Sequence, residues 1–77
     1  MVPPRKKAEI IAVIAANVLA ARRAAGMSQE ELADLADVDR TYVSQVEGGR
    51  RNITVAVLAR IAAALKLPPD KLLRPRG

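Results

Sequence analysis

At 77 residues the chain is one domain at most, close to the lower size at which a single core folds alone. It contains neither cysteine nor histidine, which excludes a disulfide framework and leaves zinc only carboxylates, a poor structural ligand set. The net charge of +5 is uneven: residues 1–26 carry five basic and one acidic side chain, 27–49 one and six, 50–77 seven and one. Basic flanks around an acidic middle suit a polyanionic partner, provided folding brings the flanks to one face.

Half of the residues are hydrophobic, yet Tyr42 is the sole aromatic, so the core must be built from Ala, Val, Leu and Ile. Small side chains let helices approach closely. Residues 1–7, with Pro3, Pro4, Arg5, Lys6 and Lys7, read as a flexible basic arm. The apolar run at 10–16 is too short to span a bilayer. Its continuation through Arg22 and Arg23 argues against a signal peptide, and a cytoplasmic protein is expected.

Helix 1 is predicted over 8–25, with Ile10, Ile11, Ile14, Val18, Ala21 and Ala25 at helical spacing and Gly26 as a left-handed stop. Helix 2 starts at Ser28, where Glu31 three residues later completes a capping box; Leu32, Leu35 and Ala36 form its apolar stripe. After the short break at Asp37 and Val38, Asp39 is the next N-cap and helix 3 covers about 40–47, with Val43 and Val46 inward. Gly48 and Gly49 end it. The polar loop Arg50, Arg51, Asn52 leads to Thr54, the cap of helix 4, whose predicted face is Val55, Leu58, Ile61, Ala62 and Leu65. Pro68 and Pro69 stop that helix, and Pro69 opens a last turn through Leu73. The domain is expected over 8–73, with 74–77 a flexible tail.

Two short helices joined by a very short turn must cross steeply. Ala33 is small enough for the contact, and Leu32, Ala36, Val38, Val43 and Val46 would form the seam. Arg40, Thr41, Ser44 and Gln45 then point away from the core. A polar helix face about 10 Å across fits a B-DNA major groove, where Arg pairs with guanine, Gln with adenine, and a Thr methyl touches thymine. As isolated residues these four would be an ordinary solvated face.

The run SQEELA at 28–33 followed by VDRTYVSQVEGG at 38–49 resembles the Cro/phage-repressor (Xre) helix-turn-helix family, and the likeness continues through LARIAAAL at 58–65 to Leu72 and Leu73. The resemblance implies an all-α, compact five-helix, lambda-repressor-like DNA-binding domain. Asp39, Arg40, Thr41, Tyr42, Val43 and Ser44, with Glu47, Arg51 and Asn52, are similar to controller proteins of restriction–modification systems. Two departures are Asp37 and Lys66, where the family commonly has Gly. Asp tolerates the left-handed region better than most residues, at a cost of about 1 kcal/mol.

The resemblance implies that Gln29, first in helix 2, meets a phosphate, and that Arg51 and Asn52 touch the backbone or groove edge. Tyr42 either packs beside helix 4 or carries its hydroxyl to a phosphate; controller-like relatives favour the second. Arg22 is implied to pair with Glu47, anchoring the reading helix and aiming the Arg at a phosphate. Glu47 alone would be unfavourable at a helix C-terminus. Arg5, Lys6 and Lys7 follow a groove or merely solubilise the chain.

The resulting expectation is a sequence-specific transcription regulator: a homodimer on a palindromic operator, without cofactor or metal, meeting double-stranded DNA through Gln29, Arg40, Thr41, Tyr42, Ser44, Gln45, Arg51 and Asn52. Leu65, Leu67, Leu72 and Leu73 are candidates for the dimer seam, with helix 1 as a rival. The alternative is an antitoxin that also autoregulates its operon, with residues 1–13 covering a toxin. Contact with RNA polymerase is a further expectation. Catalysis is not expected: no histidine, cysteine or glycine-rich phosphate loop is present.

Overall fold

The computed structural model describes residues 6–76. Its elements are α1 (Lys7–Ala24), α2 (Gln29–Ala36), α3 (Arg40–Glu47) and α4 (Val55–Ala64), followed by a 3₁₀ turn (Pro69–Leu73). The expected fifth helix is therefore this five-residue turn. Pro68 and Pro69 remove two backbone donors, and Lys71 N–H closes back on the Pro68 carbonyl three residues earlier, which leaves no length for an α-helical ladder.

The termini follow local rules. Ser28 accepts from the Glu31 N–H while the Glu31 carboxylate accepts from the Ser28 N–H, a complete capping box. Thr54 caps α4 through the Val57 N–H. Asp39 holds the N-cap position of α3, but its side chain makes no capping bond. All four helices exit alike. A left-handed residue (Gly26, Asp37, Gly49 or Lys66) follows, with the two carbonyl–amide bonds of a Schellman motif, such as Arg50 N–H to Gln45 O and Gly49 N–H to Val46 O after α3. Asp37 (φ 56°) and Lys66 (φ 59°) thus hold the left-handed position without being glycine. After α1, α2 and α4 the next residue, Met27, Val38 or Leu67, packs against the core; after α3 it is the exposed Arg50.

The core joins Ile14 and Val18 of α1, Leu32, Ala33 and Ala36 of α2, Val43 and Val46 of α3, Leu58, Ile61 and Ala62 of α4, and Leu65 and Leu72 beyond it. α2 packs against α3 and α4, and α1 against α3 and the 3₁₀ turn. Four apolar positions depart from expectation. Leu35 is 62% exposed: at about 100° per residue it lies about 105° from the centre of the arc formed by Leu32, Ala33 and Ala36. Val55 is 83% exposed, in the first turn of α4 and off its buried stripe. In α1 burial begins at Ile14, so Ile10 and the C-capping Ala25 lie outside the core. Leu65 and Leu72, expected at a dimer seam, are instead buried within the single chain.

Asn17 is buried on the inner side of α1, and its amide donates to the carbonyls of Leu72 (2.9 Å) and Arg74 (2.7 Å). It ties the last turn to the first helix, and satisfies a group that would otherwise cost about 1–3 kcal/mol to bury. Residues 1–5 of the expected arm and Gly77 of the expected tail lie outside the described residues; Lys6 holds the N-cap position of α1 without a side-chain bond, and Lys7 is its first residue. No single helix among the described residues is long and apolar enough to cross a membrane.

Candidate nucleic-acid interface

On α3 the inner residues Val43 and Val46 are sealed, whereas Arg40 and Thr41 are exposed and Ser44 and Gln45 half-buried. These four are spaced i, i+1, i+4, i+5 and form one polar stripe. A helix with side chains is about 10–12 Å across, and the major groove is about 12 Å wide, so the stripe has the dimensions of a groove reader.

A hydrogen-bond relay fixes the orientation of that stripe. Arg22 of α1 grips Glu47 with two parallel bonds, Nε to Oε2 at 2.7 Å and Nη2 to Oε1 at 3.1 Å. Its Nη1 donates to the Met27 carbonyl at 2.8 Å. The side chains are 13% and 4% exposed, so this is a largely desolvated pair whose fork geometry matters. The hydrogen bonds to Glu47 raise the Arg22 pKa above its ordinary value, with burial opposing and the charge of Glu47 assisting. The pair implied by the resemblance is therefore present. Arg22 faces Glu47 and a backbone carbonyl, which makes it an internal fixture rather than a group held out to a phosphate.

Gln29 continues the relay. Its Nε2 donates to Glu47 Oε1 at 3.0 Å, and its Oε1 accepts a long 3.5 Å bond from Arg40 Nη1. The first residue of α2 is thus joined to both ends of α3. The exposed bond to Arg40 is weak enough for a base to replace it. The sequence signalled Gln29 and Arg40 singly but not their connection.

Tyr42 is half-buried against the core, and the Arg51 guanidinium sits 4.3 Å from its ring centroid. That stacking gives the otherwise open loop residue a defined place. Arg50, Arg51 and Asn52 are all exposed. The expected site residues therefore fall into three linked groups: Gln29 with Arg40, the stripe Thr41, Ser44 and Gln45, and Tyr42 with Arg51, beside Asn52.

Two supporting residues escaped sequence reasoning. Arg60 of α4 donates to the Ala36 carbonyl at 3.0 Å and the Asp37 carbonyl at 3.4 Å, holding the left-handed corner between the two motif helices. Nothing in its spacing marks it. Asn17 did carry a signal, as a polar residue among the apolar positions Ile14, Val18 and Ala21. The carboxylates Glu30, Glu31, Asp34, Asp37 and Asp39 are exposed on and beside α2. They make the body of α2 a poor surface for phosphate and leave its first residue, Gln29, as the approachable one.

The helix-turn-helix family profile matches residues 18–72. The control protein C.SmaI of Serratia marcescens is 38% identical over 69 residues, which cover 90% of this chain and 82% of that protein. The structure of the restriction–modification controller protein C.AhdI from Aeromonas hydrophila superposes with a TM-score of 0.79 at 37% identity, over 80% of this chain and 94% of that one. A hypothetical transcription factor from Neisseria superposes at 0.85 with 40% identity, over 97% and 88%. The chain therefore belongs to the helix-turn-helix family of DNA-binding transcription regulators, a regulator rather than an enzyme, and is similar to restriction–modification controller proteins.

Proposed function

We propose that this protein is a cytoplasmic controller-type regulator that binds a palindromic operator as a homodimer, with α3 of each copy in the major groove. The observation that carries this reading is the locked polar face of α3: Arg22, Glu47 and Gln29 fix its orientation, and Arg51 and Asn52 extend the polar surface beyond its end. Arg40, Thr41 and Gln45 read bases, with Ser44 on a base or a phosphate. Gln29, Tyr42, Arg51 and Asn52 hold the backbone and set the register. One module of this size buries too little surface for useful specificity, so two half-sites are required. Because Leu65 and Leu72 belong to the core, the second copy must use other surface; Ile10, Val55 and Leu73 are the large apolar residues left exposed outside α2. Similarity to controller proteins favours this reading over the antitoxin alternative.

Selection from a randomised duplex library, followed by electrophoretic mobility shift, tests the proposal. Enrichment of a two-fold symmetric sequence is expected, and the absence of any sequence-preferring complex sinks it. Arg40→Ala should lower discrimination at one position of each half-site by about 1–3 kcal/mol, roughly 5- to 150-fold, leaving binding to random DNA much less affected. Because Gln29 bridges to Arg40, Gln29→Ala should relax the same position as well as weaken binding generally.

A further inference from the structure

The start of α1, before Ile14, contributes nothing to the core, yet it lines a groove together with the loop expected at DNA. Lys7, Ile10, Ile11 and Ile14 on one side and Asn52 and Ile53 on the other line a groove of about 330 Å³. Ile11 is half-buried there and Ile53 packs against the core, so apolar contact places this end of α1 beside the α3–α4 loop. Lys7 consequently lines the same groove as Asn52, with Lys6 immediately before it. Both lysines are exposed, and among the described residues neither is drawn into an ion pair. Glu9 is the acidic residue of this helical turn, while the exposed carboxylates of the motif cluster on and beside α2 and Glu47 is already paired with Arg22.

We propose that Lys6 and Lys7 form a second phosphate-binding edge, extending the contact made by Arg51 and Asn52 outward along the DNA backbone. The inference rests on the DNA-binding reading above. Double-stranded DNA carries one negative charge per about 1.7 Å of axis, so a strand that meets Asn52 presents further phosphates to neighbouring cations. A lysine acts there as a point charge on a flexible stem, which needs no fixed hydrogen-bond geometry. The edge therefore adds affinity for any sequence and no base discrimination.

The test measures binding of the full chain to a fluorescent random-sequence duplex and to a library-selected duplex over a range of salt concentrations. Lys6→Ala/Lys7→Ala should weaken both complexes by about the same factor, three- to thirtyfold at moderate salt. The slope of log K against log salt should fall by up to about 1.8, from 0.9 per released contact. The double variant Lys66→Ala/Lys71→Ala removes the same charge elsewhere and should change neither quantity appreciably. Equal losses in the two variants would mean a net-charge effect and overturn the proposal, as would unchanged binding in the first. If the unaltered chain binds no duplex, the functional reading fails and this edge with it; if the unaltered chain binds and the first variant matches it, only the edge fails.

Discussion

α2 and α3 are the same length, eight residues, and each buries a short apolar stripe, but they are held in place by different means. α2 is defined at its start by its own side chains, through the reciprocal bonds of Ser28 and Glu31. α3 has no side-chain cap at Asp39 and is held at its end by Arg22, 25 residues away in sequence. Their outer faces differ as well: carboxylates and Leu35 on α2, Arg40, Thr41, Ser44 and Gln45 on α3. The helix with local anchoring is the scaffold, while the one with long-range anchoring carries the candidate reading face. A groove reader must hold its angle relative to the whole domain, and a local cap fixes where a helix begins without fixing where it points.

The strongest way to break this comparison is Glu47→Ala. It leaves the Arg22 guanidinium buried with only the Met27 carbonyl and removes the partner of Gln29, so a loss of about 2–3 kcal/mol is expected in chemical denaturation, together with weaker DNA binding. Arg22→Met/Glu47→Leu should recover much of the stability without recovering the binding, because Gln29 is no longer oriented. A loss below about 0.5 kcal/mol, the size of an ordinary surface change, would mean that α3 is held by its apolar face alone.

A smaller effect compares the two helix starts. Ser28→Ala should cost about 1 kcal/mol, whereas Asp39→Ala should cost less than half as much, since Asp39 offers its charge to the helix dipole but no capping bond. Equal losses would show that α3 is capped in solution as α2 is. The smallest expected effect is in pH. The Ser28 N–H, and then its hydroxyl interaction, hold the Glu31 carboxyl below its ordinary value. A lowered folded-state value stabilises the native chain above the unfolded carboxylate range and stops doing so as pH falls through the folded one. The stability advantage of the unaltered chain over Glu31→Gln should therefore be steady above about pH 5, and shrink as pH drops below about 4. An advantage that does not change with pH would remove the charged form from the capping box.

Much of this was legible before folding was considered. The caps at Ser28 and Thr54, the stop at Gly26 and the inward pairs on α3 are local or periodic features, and each occupies its expected place. Positions at the margins of a stripe were not legible. Leu35 and Val55 match a helical repeat but lie outside the arc that neighbours cover, and Leu65 and Leu72 could be assigned to a core or to a seam only once the chain was packed.

By itself the sequence determined an all-helical domain without cysteine or histidine chemistry, the start of α2, and the polar composition of one face of α3. Those are properties of nearest neighbours, helical periodicity and composition. Tertiary structure alone decided that Gln29 bridges Glu47 and Arg40, that Arg51 lies on Tyr42, that Arg60 braces the corner at Asp37, and that Lys7 comes beside the loop of Asn52. These residues lie up to 45 positions apart, as with Lys7 and Asn52, which line one groove. Packing brings such groups together, and no local pattern in the chain encodes that proximity.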